Sequence, residues 1–293
     1  MHQHSTRLTR DIYIGDLQCR RYIKVTYGPK GLDAIPDGCK VIKSLKASKN
    51  QYSNDAKVAT VFSLTGKLTL KFIWSKNSSD IKYEVLMQDI FSEYGMGPNV
   101  LQYSIFKVRG IQIGTILMEE KQQVLTEFMS IPRSKKTVNI ILEKMKKFME
   151  KFCAYGLRHL DAHWNNWIVT QNTLNGGIQV SMIDFSFSTS DNDKQTCKFL
   201  PELSQLGRTL QPGFAEYKTM NKRNVSHLFK GIQGIHKNFA KKYKLPKVPD
   251  TPEGYNDLFY QIKACRPTIK QKKEFINKNK TRLTILKKSS IFF

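Results

Sequence analysis

Acidic residues are scarce in this chain. Of 293 residues, 24 are Asp or Glu against 48 Lys or Arg, a formal charge of +24 at pH 7. That imbalance favours phosphate-rich or acidic partners, namely nucleotides, nucleic acid, acidic membrane surfaces or acidic proteins, without choosing among them. Long apolar runs are missing too. None approaches 18 residues, which argues against a membrane span, and the start, MHQHSTRLTRDIYIGD, has no apolar core and predicts no secretory leader. The five cysteines are far apart, odd in number and without a CxxC pair. Neither a disulfide framework nor a zinc site is indicated, so a reducing intracellular compartment, cytoplasm or nucleus, is expected. There is no internal repeat and no long low-complexity segment. What is present fits a folded protein: 40% hydrophobic and 11% aromatic residues. The length allows one large domain or two lobes, each with its own core.

Residues 1–40 carry turn signals at Tyr27–Gly31 and Asp37–Gly38 and read as an extension packing on the first lobe. From Val41 the pattern is β-like. Lys57–Leu64 and Lys67–Trp74, separated by Thr65–Gly66, predict a hairpin. In the second run Leu68, Leu70, Phe72 and Trp74 alternate with Lys67, Thr69, Lys71 and Ile73. Lys71 is therefore expected opposite the apolar set. Ser79–Tyr94 has helical spacing, with Ser78, Ser79 or Asp80 as a cap, and ends at Gly95–Pro98. Val100–Val108 and Ile111–Glu119 read as strands around Arg109–Gly110. Thr137–Tyr155 is a long amphipathic helix with a lysine face, stopped by Gly156. A loop and a second hairpin follow, Trp167–Thr170 and Ile178–Ile183, joined by the turn NTLNGG. Glu202–Leu210, Asn224–Gly234, Tyr255–Ala264 and Lys270–Lys288 read as helices, with a proline-broken connector at Lys241–Pro252.

The stretch HLDAHWNNW, Asp161 to Asn166, lies between the long helix and this hairpin, and Asp184 closes the hairpin in MIDFS. Two acids and an amide in this arrangement can hold a divalent cation and orient a hydroxyl, which is what phosphoryl transfer needs. The order of a β-rich lobe, a linker and a helical lobe with such a hairpin resembles the protein-kinase-like superfamily from about Val41 to Leu210. The resemblance implies an α+β, bilobal fold with a nucleotide-binding lobe over 41–120 and a catalytic lobe over 121–293. His159-x-Asp161 with Asn166 resembles the H-x-D-x-x-x-x-N catalytic loop. It implies that Asp161 accepts or orients the acceptor proton and that Asn166 binds Mg2+ or Mn2+. Asp184-Phe185-Ser186 resembles D-F-G and implies a second metal ligand. Lys71 in TLKF resembles the phosphate-binding strand lysine, with Glu84 as its ion-pair partner and Glu93 as the rival. Met118 and Glu119, with Glu120, fall at the expected adenine-binding hinge. Glu202–Gly207 resembles the D-x-x-x-L-G start of the helix after the activation segment.

Other features depart from the pattern. Leu45–Lys57, where a glycine-rich phosphate loop belongs, contains no glycine. Leu160 replaces the H-R-D arginine, the segment from Asp184 to Glu202 is short, and no A-P-E is present. His163 makes the loop D-x-H-x-x-N, similar to aminoglycoside- and choline-kinase-type enzymes. Trp164 and Trp167 are expected to pack under the loop. The resemblance thus implies an ATP- and Mg2+-dependent kinase, a Ser/Thr protein kinase ahead of a small-molecule kinase, and its composition is similar to kinases of large DNA viruses, which would place it in a host cell or virion. A different expectation is a weakly active, kinase-shaped module that holds nucleic acid or an acidic partner through the basic clusters near Lys241–Lys247 and Lys270–Lys288.

Overall fold

A computed structural model describes residues 8–12, 23–27, 41–45, 56–63, 66–108, 111–119, 123–171, 177–190, 201–244, 247–256 and 265–288. It is an α+β chain with small antiparallel sheets. The strands are β1 (Leu8–Ile12), β2 (Ile23–Tyr27), β3 (Val41–Leu45), β4 (Ala56–Ser63), β5 (Gly66–Ser75), β6 (Val100–Val108), β7 (Ile111–Glu119), β8 (Gln123–Val124), β9 (Leu157–Arg158), β10 (Trp167–Gln171), β11 (Ile178–Met182) and β12 (Thr189–Ser190). The helices are α1 (Ser78–Glu93), α2 (Leu125–Phe128), α3 (Lys135–Tyr155), α4 (Pro201–Arg208), α5 (Ala215–Thr219), α6 (Lys222–Tyr243), α7 (Ile269–Lys278) and α8 (Lys280–Lys288). Several sequence expectations lie outside the described residues: the glycine-free loop at 46–55, the turns at 109–110 and 172–176, Glu120, and the helix expected over 257–264. Among the described residues no helix is long and apolar enough to cross a membrane.

The chain divides into two compact units. One comprises Met1–Leu86, Asn99–Glu120 and Gln271–Phe293, and the other Met87–Pro98 and Lys121–Lys270. The helices after Lys270, expected with the catalytic lobe, group with the sheet instead. Two contacts account for this: Lys272 Nζ lies 2.9 Å from Asp80, and Phe275 meets Tyr83 edge-on at 5.4 Å. The lysine-rich tail expected as one helix is two, α7 and α8, meeting at Asn279.

The first unit is built on a five-stranded antiparallel sheet in the order β3-β4-β5-β7-β6. Strand β5 lies between β4 and β7, so Lys71 is opposite Val58 on one side and Ile116 on the other. The face opposite the apolar set is itself covered. Lys71, Ile73 and Ser75 share one side of the strand and all are buried. Helix α1 starts on Asn77, whose side chain accepts the Ser79 N–H at 2.9 Å; the cap is thus one residue before the expected serines and Asp80. Gly114 on β7, in register with Ile73, lets the helix come close. A Cβ there would lie 2.2 Å from Ile81 Cγ2, so the bare backbone makes the space that Ile81 fills.

The second unit is mainly helical. Ser134 caps α3 by accepting the Thr137 N–H, and Gly156 ends it in the left-handed conformation, φ 64°. Val138, Ile141, Leu142, Met145, Phe148, Met149 and Phe152 form its buried stripe. Burial of such a set contributes roughly 10–20 kcal/mol before conformational entropy is subtracted. Its opposite face carries exposed Lys135, Lys136, Lys144 and Lys147. Helix α6 runs well beyond the expected end at Gly234 because Ile235 and Phe239 continue its apolar stripe. Gly231 admits Leu142 of α3, whose Cδ1 would lie 2.2 Å from an added Cβ. Asn224, fully buried, donates to Met129 O and Ile131 O and accepts the Arg133 N–H, which fixes the α2–α3 connection on α6. Cys153 is disulfide-bonded. The sequence, which indicates no disulfide framework, does not foresee this bond.

Candidate active site

The loop after β9 is held from below by α4. Glu202 accepts the His159 N–H at 2.8 Å. One turn on, Gln205 accepts the Ala162 N–H and donates to Leu160 O at 3.1 Å. Trp164 reaches Leu206 O at 2.9 Å and Trp167 reaches Ala162 O at 3.1 Å, both indoles being fully buried. Helix periodicity explains why residues 202, 205 and 206 all meet one loop. Glu202 has no exposed surface; burial pushes its carboxyl up, opposed by Arg158 and by backbone N–H donors.

The loop is also tied to the hairpin. Ile183 donates to Asn166 O at 3.0 Å, and His159 Nε2 meets Ile183 O at 2.9 Å. Phe185 is fully buried, with its ring 4.8 Å from Phe91 and 5.2 Å from His159. Gly97 gives it room, since a Cβ there would lie 2.9 Å from Phe185 Cζ. Among the described residues three non-glycines have positive φ: Leu160 at 57°, Asp184 at 65° and Lys244 at 54°. Lys244 caps α6. The other two flank this site, where a strained backbone persists because the surrounding contacts over-determine it.

Asp161, Asn166 and Asp184 come together here. Asn166 Nδ2 donates to Asp161 O at 2.8 Å and lies 3.4 Å from Asp161 Oδ2. Asp184 Oδ1 accepts from Ser186 Oγ at 3.2 Å. Around Asp161 stand three further groups: Gln205 Nε2 at 3.4 Å, Arg266 Nη2 at 3.3 Å and His163 Nε2 at 3.7 Å. Burial pushes the Asp161 carboxyl above the usual range and Asp184 adds to this, against the pull of His163, Arg266 and Gln205. His163 sits 3.1 Å from Glu216. Burial would lower its pKa, but the Glu216 hydrogen bond and the charges of Asp161, Glu216 and Asp184 raise it overall. Glu216 responds in the opposite sense: burial raises it, and His163 brings it down below the ordinary carboxylate value. Gln205, Glu216 and Arg266 were not found by sequence reasoning. Gln205 had a signal, the three-residue spacing from Glu202. Glu216 and Arg266 had none, because they reach the loop from 55 and 105 residues away.

Among the described residues no group of three or more His, Cys, Asp or Glu could hold a metal by itself. The pair available is the Asp184 carboxylate and the Asn166 amide. The Asn166 nitrogen is turned to Asp161 O, which leaves its oxygen as the coordinating end. Two hard oxygen donors fit Mg2+, which takes one or two protein groups and completes its shell with water and phosphate.

In the sheet-bearing unit Lys71 Nζ lies 2.5 Å from Glu84 Oε1, and both side chains are buried. Glu84 is thus the lysine's partner, as expected ahead of Glu93. Met118 is buried in β7, opposite Thr69. The Glu119 N–H donates to Asn99 O at 3.3 Å and its carboxylate accepts from Asn99 at 2.7 Å, so this amide is already engaged.

No family model matches the chain, and no curated protein is significantly similar to it.

Proposed function

We propose that the chain is an ATP-dependent phosphotransferase of protein-kinase-like, bilobal architecture that moves the γ-phosphoryl group to a hydroxyl, foremost a protein Ser/Thr hydroxyl. The observation that carries this reading is the convergence of Asp161, Asn166 and Asp184 on one loop-and-hairpin, with Asp184 held left-handed at its end. Asp161 accepts the proton of the attacking hydroxyl. Its raised pKa brings the carboxylate closer to the acidity of a working general base. Asn166 and Asp184 hold Mg2+ (or Mn2+), which when bound neutralises charge on the phosphates. Lys71, fixed by Glu84, supplies a compact positive charge to the α- and β-phosphates. Met118 and Glu119 belong to the hinge that meets adenine, and because the Glu119 N–H is engaged, other backbone groups supply the adenine contacts. A small-molecule hydroxyl is the competing acceptor. The D-x-H-x-x-N loop and the short segment between Asp184 and α4 favour it.

The test is transfer of label from γ-labelled ATP to basic and acidic protein mixtures with Mg2+ or Mn2+, wild type against Asp161→Ala. Wild type should turn over and the variant should be slower by about 100-fold or more. Equal, negligible turnover in both would remove the reading. A second reading, electrostatic binding of nucleic acid, is favoured by a surface groove lined by Lys135, Lys136, Lys144 and Lys147. None of its lining residues belongs to the loop-and-hairpin. It predicts ATP-independent binding with a steep salt dependence.

A further inference from the structure

Arg266 is a side chain near Asp161 that the phosphotransferase reading leaves without a task. Its Nη2 is 3.3 Å from Asp161 Oδ1, longer than the 2.7–2.9 Å or so of a strong charge-assisted bond, and the contact uses one of five donors. The guanidinium carbon lies over the Phe187 ring, 3.8 Å from its centre, three residues beyond Asp184. Its Nε is buried and has no hydrogen-bond partner among the described residues. A structural salt bridge would be expected to close on the carboxylate with two parallel bonds. This arginine is instead anchored by a cation–π contact and keeps donors in reserve, an arrangement suited to an anion that arrives and leaves.

The local charges say which anion. Asp161 and Asp184 are acidic, and His163 is already matched to Glu216 at 3.1 Å. Among the described residues, Arg266 is therefore the cation beside Asp161 whose one acidic contact is the long 3.3 Å pair with Asp161 itself. A planar guanidinium matches a phosphoryl group with two parallel N–H bonds, which a lysine cannot do.

We propose that Arg266 is a catalytic residue that binds the phosphoryl group in transit, an arginine finger supplied by the chain itself. The inference rests on the phosphotransferase reading. In the step, the acceptor oxygen forms a bond to the γ-phosphorus while the bond from that phosphorus to the β–γ bridging oxygen breaks. The bridging electron pair leaves with ADP, and the acceptor proton goes to Asp161. Charge on the three non-bridging oxygens is met by Arg266, whose hold on Asp161 Oδ1 loosens as that oxygen takes the proton. The competing account is that Arg266 blocks the base and restrains the enzyme.

The two accounts predict opposite signs. Phosphate release from Mg·ATP, with water as acceptor, is measured for wild type, Arg266→Lys and Arg266→Ala, with thermal unfolding as a check on folding. The finger predicts that Arg266→Ala lowers kcat by about 100-fold while KM for ATP changes less than about threefold. Arg266→Lys falls between the two, and millimolar guanidinium partly restores Arg266→Ala. By calorimetry, affinity for ADP with aluminium fluoride, a mimic of the moving phosphoryl group, falls about 30-fold or more in Arg266→Ala, and affinity for ADP alone is kept. A faster Arg266→Ala enzyme would establish the blocking role and overturn the proposal. Equal losses for ADP and for its fluoride complex, without guanidinium rescue, would reduce Arg266 to a structural strut. If wild type binds nucleotide and turns over but Arg266→Ala matches it in every readout, the finger fails and the phosphotransferase reading stands. If wild type neither binds nor hydrolyses ATP, both fall.

Discussion

Lys71 and Asp161 are both charged side chains taken largely out of water, and the two units hold them differently. Lys71 lies 2.5 Å from Glu84, deep between a central strand and α1. Asp161 has four side-chain partners, Asn166, Gln205, Arg266 and His163, at 3.3–3.7 Å. The first arrangement is closed: separating the pair would strand a buried charge, so the lysine stays in one place. The second is open. Its contacts are individually weak, and burial has already raised the carboxyl's proton affinity. Under the proposed function, a lysine that positions phosphate benefits from the first design and a carboxylate that takes up a proton benefits from the second.

The largest effect that could break this comparison is on stability. Glu84→Ala should cost about 3–5 kcal/mol in urea unfolding, since it removes the buried carboxylate that faces the Lys71 ammonium at 2.5 Å. The double replacement Lys71→Met with Glu84→Leu should cost less than Glu84→Ala alone. Asp161→Asn, by contrast, should change stability by less than about 1 kcal/mol. Similar losses at the two positions would mean that the two sites are built alike.

A smaller loss is expected at Gly114. The added methyl of Gly114→Ala meets Ile81 at 2.2 Å and should destabilise by about 1–3 kcal/mol through overpacking. Pairing it with Ile81→Ala should recover much of that. No recovery would show that α1 does not depend on this close approach.

The smallest effect is a pH dependence confined to the open site. His163 titrates above its ordinary value of 6.5 in the fold, so its contribution is full below that pH and is lost as pH rises through the folded value. Glu216, shifted down from 4.5, contributes above that pH and loses its contribution as pH falls through its own folded value. Without divalent cation, unfolding free energy should therefore decline on the alkaline side of 6.5 in wild type, and His163→Gln should flatten that decline. A profile identical in the two proteins would sever His163 from Glu216.

Much of this contrast was legible in the sequence where it depends on local pattern. The β4–β5 hairpin, α1 and the end of α3 follow from alternation, helical spacing and Gly156, whereas the start of α3 at Lys135, capped by Ser134 and two residues before the expected Thr137, does not. Asp161, Asn166 and Asp184 stand at spacings that a loop and a hairpin must bring together, and they do meet. Legibility ends where distant segments converge. The buried face of Lys71 could not be inferred from its own strand, because both faces of β5 carry apolar residues and α1 decides which is covered. The Asn77 cap was displaced by the more obvious serines. Glu216 and Arg266 reach the loop only through tertiary packing, and the attachment of α7 to α1 through Lys272 and Phe275 leaves no mark in periodicity.

A crystal structure of the protein grown with Mg2+ and a non-hydrolysable ATP analogue tests the central claim most directly. The account predicts a metal bonded to both the Asp184 carboxylate and the Asn166 amide oxygen at about 2.0–2.1 Å, with the γ-phosphate beside Asp161. Nucleotide and metal bound with neither Asp184 nor Asn166 in the coordination shell would contradict it.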